Sequence, residues 1–281
     1  MMIAGIQMTV PATGSNLEAM AHAIARTKAL FPDTEMILFS ELAQHGPVPA
    51  NTPSEHEEIE KRLCQLAARH DVWLVPGSGF VRRSGSLYNH AIVIDPQGKI
   101  TGRYDKLFPF LPLETGVEPG TSFLVFDVPQ RGRFGVSICY DIWFPETTRA
   151  LVSQGVEVLL HPVLTGTTDR QVELAIAQAT AAMFQCYVFD VNGLGSGGTG
   201  RSLVVDPAGV VLHQAGQTDE IFPITIDLDL VRHVRGNGAN GLGQTLKSFR
   251  DRKVELPAQN MNEPGAYLKG LGPMRTILRE H

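Results

Sequence analysis

Residues Phe134-Gly135-Val136-Ser137-Ile138-Cys139 form an apolar run that ends on a cysteine, and Tyr140-Asp141-Ile142-Trp143-Phe144-Pro145-Glu146 follows directly. A short apolar run of this kind reads as a strand covered on both faces, the habit of a parallel sheet. Pro145 stands where a helix tolerates proline, in its first turn. Strand, tight connection and helix in succession are the unit of a layered α/β fold.

The same step recurs on either side. Residues 36–39 are a continuous apolar run that ends at Ser40-Glu41. Before them, residues 3–10 read as a strand, and Ser15 with Glu18 makes an S-x-x-E capping box that opens a helix. Leu17, Met20, Ile24 and Phe31 give that helix an apolar stripe. A second helix from about Ser54 has Glu55, Glu57 and Glu58 in its first turn and Arg69 and His70 in its last, the polarity a helix dipole favours. Ile59, Leu63 and Leu66 form its stripe. A further helix is expected over 169–186, with Val172, Ile176, Ala179 and Met183 inward, and strands over 72–75, 156–160, 187–191 and 221–228.

Two turns echo each other. Residues 91–94 run into Asp95-Pro96-Gln97-Gly98, and Leu203–Val205 into Asp206-Pro207-Ala208-Gly209. Each D-P-x-G is a type I turn signature between paired strands. Their separation of 111 residues hints at two related halves. No Pro/Ser-rich linker interrupts the chain, so residues 1–230 read as one layered α/β domain. From about Val231 the periodicity fades, and 231–281 reads as a C-terminal arm.

Composition narrows the function classes. The chain has 281 residues, 43% hydrophobic and 19% charged, which excludes a disordered or coiled-coil protein. Lys plus Arg number 24 against 29 for Asp plus Glu, a net charge of -5. A mildly acidic surface without basic blocks argues against nucleic acid or an anionic membrane as partner. Cys64, Cys139 and Cys186 are too few for a disulfide framework and read as reduced thiols. No apolar run approaches the ~20 residues of a membrane span, and the N-terminus lacks a signal peptide's flanks. A cytoplasmic protein is expected.

Familiar motifs drop out. Gly193-Leu194-Gly195-Ser196-Gly197-Gly198 fits G-x-G-x-x-G, but a strand follows where a dinucleotide site needs a helix. It reads as a strand connection. The nine histidines lack metal-ligand spacing and no C-x-x-C exists, so no metal site is nominated.

Three patterns carry chemistry together. Taken singly, Glu41 reads as a solvated carboxylate after a strand, Lys106 in Gly102-Arg103-Tyr104-Asp105-Lys106 as part of a charged edge strand, and Cys139 as an inert small hydrophobe. All three, however, stand at strand ends, where open α/β sheets collect functional groups. Cys139 also precedes a helix start, whose N–H groups favour a thiolate or an oxyanion. A carboxylate, an ammonium and a thiol are base, oxyanion stabiliser and nucleophile for acyl transfer.

In this context the sequence resembles the nitrilase or carbon–nitrogen hydrolase superfamily. The resemblance rests on Glu41, on Lys106 65 residues later, and on Cys139 33 residues after that within Cys-Tyr-Asp-x-x-Phe-Pro-Glu. It implies a four-layer α-β-β-α sandwich, catalytic roles for Glu41, Lys106 and Cys139, and a further glutamate at Glu114 that holds the lysine and helps position substrate. It implies neither metal nor organic cofactor. The Cys-Tyr-Asp context looks like the amidase and carbamoylase branches. The expected partner is therefore a small-molecule amide or carbamoyl substrate. Ammonia would leave as a Cys139 thioester forms, with the Tyr140 backbone N–H at the oxyanion. His161, which ends the strand before the 163–168 loop, is placed at the substrate. N-carbamoyl amine hydrolysis and nitrile hydrolysis are the rival reactions, and a thiol redox sensor is the rival class.

Cys64 and Cys186 read as core residues. Asp141 and Glu146 read as support, capping the helix after Cys139 or pairing with Arg149. The resemblance further implies protomers paired through the helix from Pro145 and the helix at 169–186. A homodimer or larger even-numbered homo-oligomer is expected, with the apolar residues of the arm packed on the body or across a two-fold interface.

Overall fold

The computed structural model describes residues 1–111, 113–254 and 268. Its first half contains β1 (Met2–Gln7), β2 (Thr9–Val10), α1 (Leu17–Leu30), β3 (Thr34–Phe39) and α2 (His56–His70). It continues through β4 (Trp73–Val75), β5 (Ser78–Arg83), β6 (Ser86–Ile94) and β7 (Ile100–Asp105). The second half opens with β8 (Leu124–Val128), β9 (Gly132–Val136), α3 (Pro145–Ser153), β10 (Val158–Val163) and α4 (Arg170–Phe184). Then come β11 (Tyr187–Asn192), β12 (Leu194–Gly195), β13 (Gly198–Thr199), β14 (Leu203–Val205) and β15 (Val211–Gln214). β16 (Glu220–Thr225), α5 (Leu228–Asn237) and α6 (Thr245–Arg250) follow.

Side-chain alternation explains the layers. In β3, Met36 and Leu38 join Val136, Leu160 and Phe189 in a core between two sheets. Ile37 and Phe39 point the other way, into a core with Leu17, Met20, Ile24 and Leu63 of α1 and α2. In β10, Val158 and Leu160 face the first sheet, and Leu159 packs with Leu151 and Leu174 of α3 and α4. Both faces are buried, so these strands read as unbroken apolar runs. Each such side chain contributes about 1.5–3 kcal/mol on burial. The result is the expected α-β-β-α sandwich.

The first sheet has the order β16-β1-β3-β4-β6-β5, with β7 also on β6; the second runs β15-β14-β11-β10-β9-β8. A small third sheet joins β13, β12 and β2. β1, β3 and β4 are parallel, as are β9, β10 and β11, so their carboxyl ends gather on one side of each sheet.

Several local expectations are corrected. Residues 3–10 are two strands, because Thr9 and Val10 leave the first sheet to pair with β12. The helix cap is Asn16, not Ser15, and the capping box does not form. Asn16 is held there by its side-chain amide, which donates to Thr9 O and Ala43 O. The last strand stops at Thr225; Asp227 caps α5, whose Val231 and Val234 are buried, so the chain is helical across position 231. On α4 the inward stripe is displaced. Leu174, Ala177, Ala181 and Phe184 face the sheet, together with Arg170 and Glu173, whereas Val172 and Met183 are exposed. A buried ion pair on the core face hid that face from a purely apolar reading. Leu256, Tyr267, Leu271, Ile277 and Leu278 of the expected arm lie outside the described residues.

Candidate active site

Glu41 lies just past β3, Lys106 just past β7 and Cys139 just past β9. The sandwich brings all three, with Glu114, to one cavity of about 370 Å³. Lys106 Nζ donates to Glu41 Oε1 at 2.8 Å and to Glu114 Oε2 at 2.7 Å. Asn89, wholly buried on β6, donates through Nδ2 to Glu41 Oε1 at 2.8 Å and to Glu114 Oε1 at 2.7 Å. Backbone N–H groups complete the shell: Leu164 N donates to Glu41 Oε2 at 3.1 Å and Phe110 N to Glu114 Oε2 at 2.6 Å. Buried carboxylates persist only with such partners.

The electrostatics fix the resting proton positions. Burial pulls Lys106 down, but the charges of Glu41, Cys139 and Glu114 more than offset it and hold the ammonium well above the usual lysine range. Burial raises the Glu41 carboxyl, against the opposing pull of Lys106. Burial and the charge of Glu41 push the Cys139 thiol well up, and Lys106 only partly counters them. At neutral pH the sulfur therefore keeps its proton until something takes it. The side chains of Glu41 and Cys139 interact directly.

Cys139 sits at φ +46, in the left-handed region, at the first position of a 3₁₀ turn over Cys139–Trp143. A non-glycine residue there costs on the order of 1–3 kcal/mol and needs surroundings that hold it. Asp141 supplies them. Its Oδ2 accepts from Ile138 N at 2.9 Å and Tyr104 Oη at 2.6 Å, and its Oδ1 from Phe108 N at 2.9 Å. One buried carboxyl, pushed up to about 6 by burial, thus ties the cysteine turn to the chain around Lys106. It does not pair with Arg149, which stacks on Phe184 and Phe249 instead.

Tyr140 lines the cavity, its ring edge-on to Phe110 with centroids 5.0 Å apart. His161 does not reach the cavity. It is buried on β10 with Nδ1 2.8 Å from Ser137 Oγ, and burial holds its pKa at about 3. The strand does not end at His161 but continues through Val163, so His161 stays inside β10 and the cavity lining begins at Leu164. The next loop does line the cavity, through Leu164, Thr165, Gly166 and Thr167. Cys186 is buried and Cys64 half-buried, both away from the cavity.

Sequence reasoning missed Asn89, Trp143, Glu173 and the glycine run. Asn89-His90 interrupts an otherwise apolar strand, the one signal that could have flagged it. The G-x-G-x-x-G segment forms the β12–β13 hairpin, and Gly195, Gly197 and Gly198 wall the cavity. A Cβ on Gly198 would sit 2.2 Å from Gly193 O, so backbone packs on backbone there and no side chain fits. Among the described residues no group of three or more His, Cys, Asp or Glu is arranged to hold a metal ion, and no helix is long and apolar enough to cross a membrane.

Comparison with known proteins gives the family. Residues 2–236 match the family model for carbon–nitrogen hydrolases. The chain belongs to that family. Like its relatives, this carbon–nitrogen hydrolase is a member of the nitrilase superfamily on its amidase-like side. It is 30% identical over 265 residues to an (R)-stereoselective amidase of a Pseudomonas species, covering 90% of each chain. It is 33% identical over 199 residues to a nitrilase of Pyrococcus abyssi, covering 69% of this chain and 71% of the other. A carbon–nitrogen hydrolase from Helicobacter pylori G27 has the same fold, with a TM-score of 0.81 at 23% identity over 94% of this chain and 98% of the other.

Proposed function

We propose that this hydrolase converts a small linear amide to the carboxylic acid and ammonia through a thioester on Cys139. The observation that carries the reading is the convergence of Glu41, Lys106 and Cys139 on one cavity, with Lys106 bridging two buried carboxylates. Glu41 takes the thiol proton as the sulfur attacks the amide carbonyl carbon. The developing oxyanion faces the Lys106 ammonium and the Tyr140 backbone N–H, both preorganised in a water-poor site. Protonated Glu41 then gives its proton to the departing nitrogen, and ammonia leaves the thioester behind. Water, deprotonated by Glu41, attacks the thioester; the acid departs and the thiol is restored. Burial raises the Glu41 carboxyl toward working pH, which favours a carboxylate as a base. Glu114 keeps the lysine charged in a place where burial alone would strip its proton. His161 has no role in this scheme.

The test is a panel of primary amides, N-carbamoyl amines and short nitriles assayed together for ammonia and carbon dioxide. Ammonia without carbon dioxide from the amides is the expected result. Carbon dioxide from the carbamoyl compounds, with amides inert, would replace the amidase reading by the carbamoylase one. A reactive Cys139 with no turnover of any member would leave the thiol-sensor class standing.

A further inference from the structure

We propose that the amide taken by this cavity carries a protonated amine on its acyl side, and that amides bearing a carboxylate there are refused. The inference rests on the amide-hydrolase reading and names its substrate class.

The cavity's walls supply the argument. Among the described residues that line it, Lys106 is the lone cation, and Glu41 and Glu114 already hold its ammonium between them. Thr165 Oγ1 lies 3.7 Å from Cys139 Sγ. Its hydroxyl donates to Glu173 Oε1 at 3.0 Å, and the Trp143 indole N–H reaches the same oxygen at 3.4 Å. Glu173 is only 5% exposed, yet it lines the cavity. The cation behind it is divided. Arg170 contacts Glu173 Oε2 at 3.4 Å through Nη1 but directs Nη2 to Asp190. One guanidinium thus stands against two carboxyl groups. Half-buried Asp169 also lines the cavity and accepts from the Thr167 hydroxyl at 3.3 Å.

A second feature points the same way. Trp143, Tyr140 and Phe110 present aromatic rings to the same space. Rings beside a carboxylate are the surroundings that hold an ammonium, through cation–π attraction and charge together. A carboxylate in that space would meet Glu173 and Asp169 with no free cation to offset its desolvation.

Three amides of nearly equal size test the charge: 4-aminobutanamide, pentanamide and 4-carbamoylbutanoate. With the wild-type protein, kcat/KM for ammonia release should fall in that order, the cation exceeding the anion by at least about tenfold. Equal or reversed rates for cation and anion overturn the proposal. Binding of the same three compounds to Cys139→Ala, measured by calorimetry, separates the two readings. Charge order in binding without turnover in the wild type sinks the hydrolase reading alone, and loss of the order in binding sinks this one. Glu173→Gln should lower the ratio of 4-aminobutanamide to pentanamide about tenfold, and Asp169→Asn about twofold. A ratio unchanged in both variants overturns the assignment of the amine to this wall.

Discussion

In the first half of the sandwich three parallel strands, β1, β3 and β4, are followed by the antiparallel hairpin β6–β7; in the second, β9, β10 and β11 are followed by β14–β15. Each hairpin turns on its D-P-x-G. Asp95 Oδ1 accepts from Gln97 N and Lys99 N, and Asp206 Oδ1 from Ala208 N and Val210 N. Gly98 and Gly209 take the same positive φ, +78 and +86. The frames match, and the strand ends do not. The first half gathers Glu41, Asn89 and Lys106 into a closed charged cluster, to which the following loop adds Glu114. The second half supplies a strained cysteine turn and a separate buried group, Arg170 with Asp190 and Glu173. Burial on both faces constrains the strands alike, while the ends are free to diverge, so the chemistry is asymmetric on a repeated frame.

The sharpest break in that asymmetry is Cys139→Ala. Ammonia release should drop by at least about 10³-fold, the scale on which lost nucleophiles act. The melting temperature should stay close to wild type, since one small side chain replaces another. Cys139→Ser should be nearly as inactive, because a carboxylate is a poor base toward a hydroxyl. Hydrolysis by the alanine variant at a wild-type rate would remove the second half's turn from the mechanism.

Next in size are changes to the first half's cluster. Lys106→Met leaves Glu41 and Glu114 facing each other in a buried site. It should cost about 3–5 kcal/mol in urea unfolding, besides turnover. Arg170→Met strands Asp190 and Glu173 in the same way and should cost a similar amount. Stability that survives either change would mean the pair it breaks is hydrated. Glu114→Gln is milder. It should lower kcat strongly yet leave iodoacetamide labelling of Cys139 largely intact, and a wild-type kcat/KM would deny Glu114 its part.

The same asymmetry explains what could be read in advance. β3 and β9 were legible because alternation buries both of their faces, which leaves an unmistakable apolar run. Glu41, Lys106 and Cys139 were legible through their intervals and the Cys-Tyr-Asp context, and each falls at the strand end expected of it. Asn89 was not, because a polar residue inside a strand has the same sequence appearance whether it faces water or two carboxylates. Glu173 was hidden by its helix. Val172, Ile176, Ala179 and Met183 make a convincing stripe, and only the buried Arg170 reveals that the core lies on the neighbouring face. His161 was misplaced by adjacency: the strand runs on through Val163, so His161 lies inside it and the cavity wall begins only at Leu164.

His161 offers a smaller effect with a definite sign. Its folded pKa is about 3 against an ordinary 6.5. Between those values the unfolded chain binds a proton that the native one does not, so stability falls as pH drops. Each pH unit in that window costs about 1.4 kcal/mol. Asp141 acts in the opposite sense between about 6 and 3.8, since its raised pKa favours the protonated native form. His161→Asn keeps a polar atom near Ser137 Oγ and leaves Asp141 in place, so the difference between the two proteins isolates the histidine. From pH 6.5 to 4.5 the wild type should lose about 2–3 kcal/mol relative to the variant in urea unfolding. Parallel stability curves would show that His161 is hydrated in the native state.

The smallest effect concerns assembly, where the two halves differ again. α1 and α2 bury their apolar stripes against the first sheet, but α4 carries a second one outward, with Val172 and Met183 48% and 47% exposed. α6 covers part of this region, since Thr245 Oγ1 donates to Met183 O and Leu246 packs on the core beneath α3 and α4. An apolar stripe left at helical spacing on one face suits a like surface on a second copy. We propose that protomers pair through α3 and α4. Light scattering at micromolar concentration should then report a homodimer or larger even-numbered oligomer. Val172→Glu with Met183→Glu should shift it toward monomer, by about tenfold or more in the dissociation constant. Truncation after Asp229 should act differently. It removes Val231 and Val234 from the core and the Arg235 contact with Gln185 O, so it lowers the melting temperature of each protomer as well. A stable monomer in the unmodified protein, or a double variant that remains dimeric, would place the contact on another face.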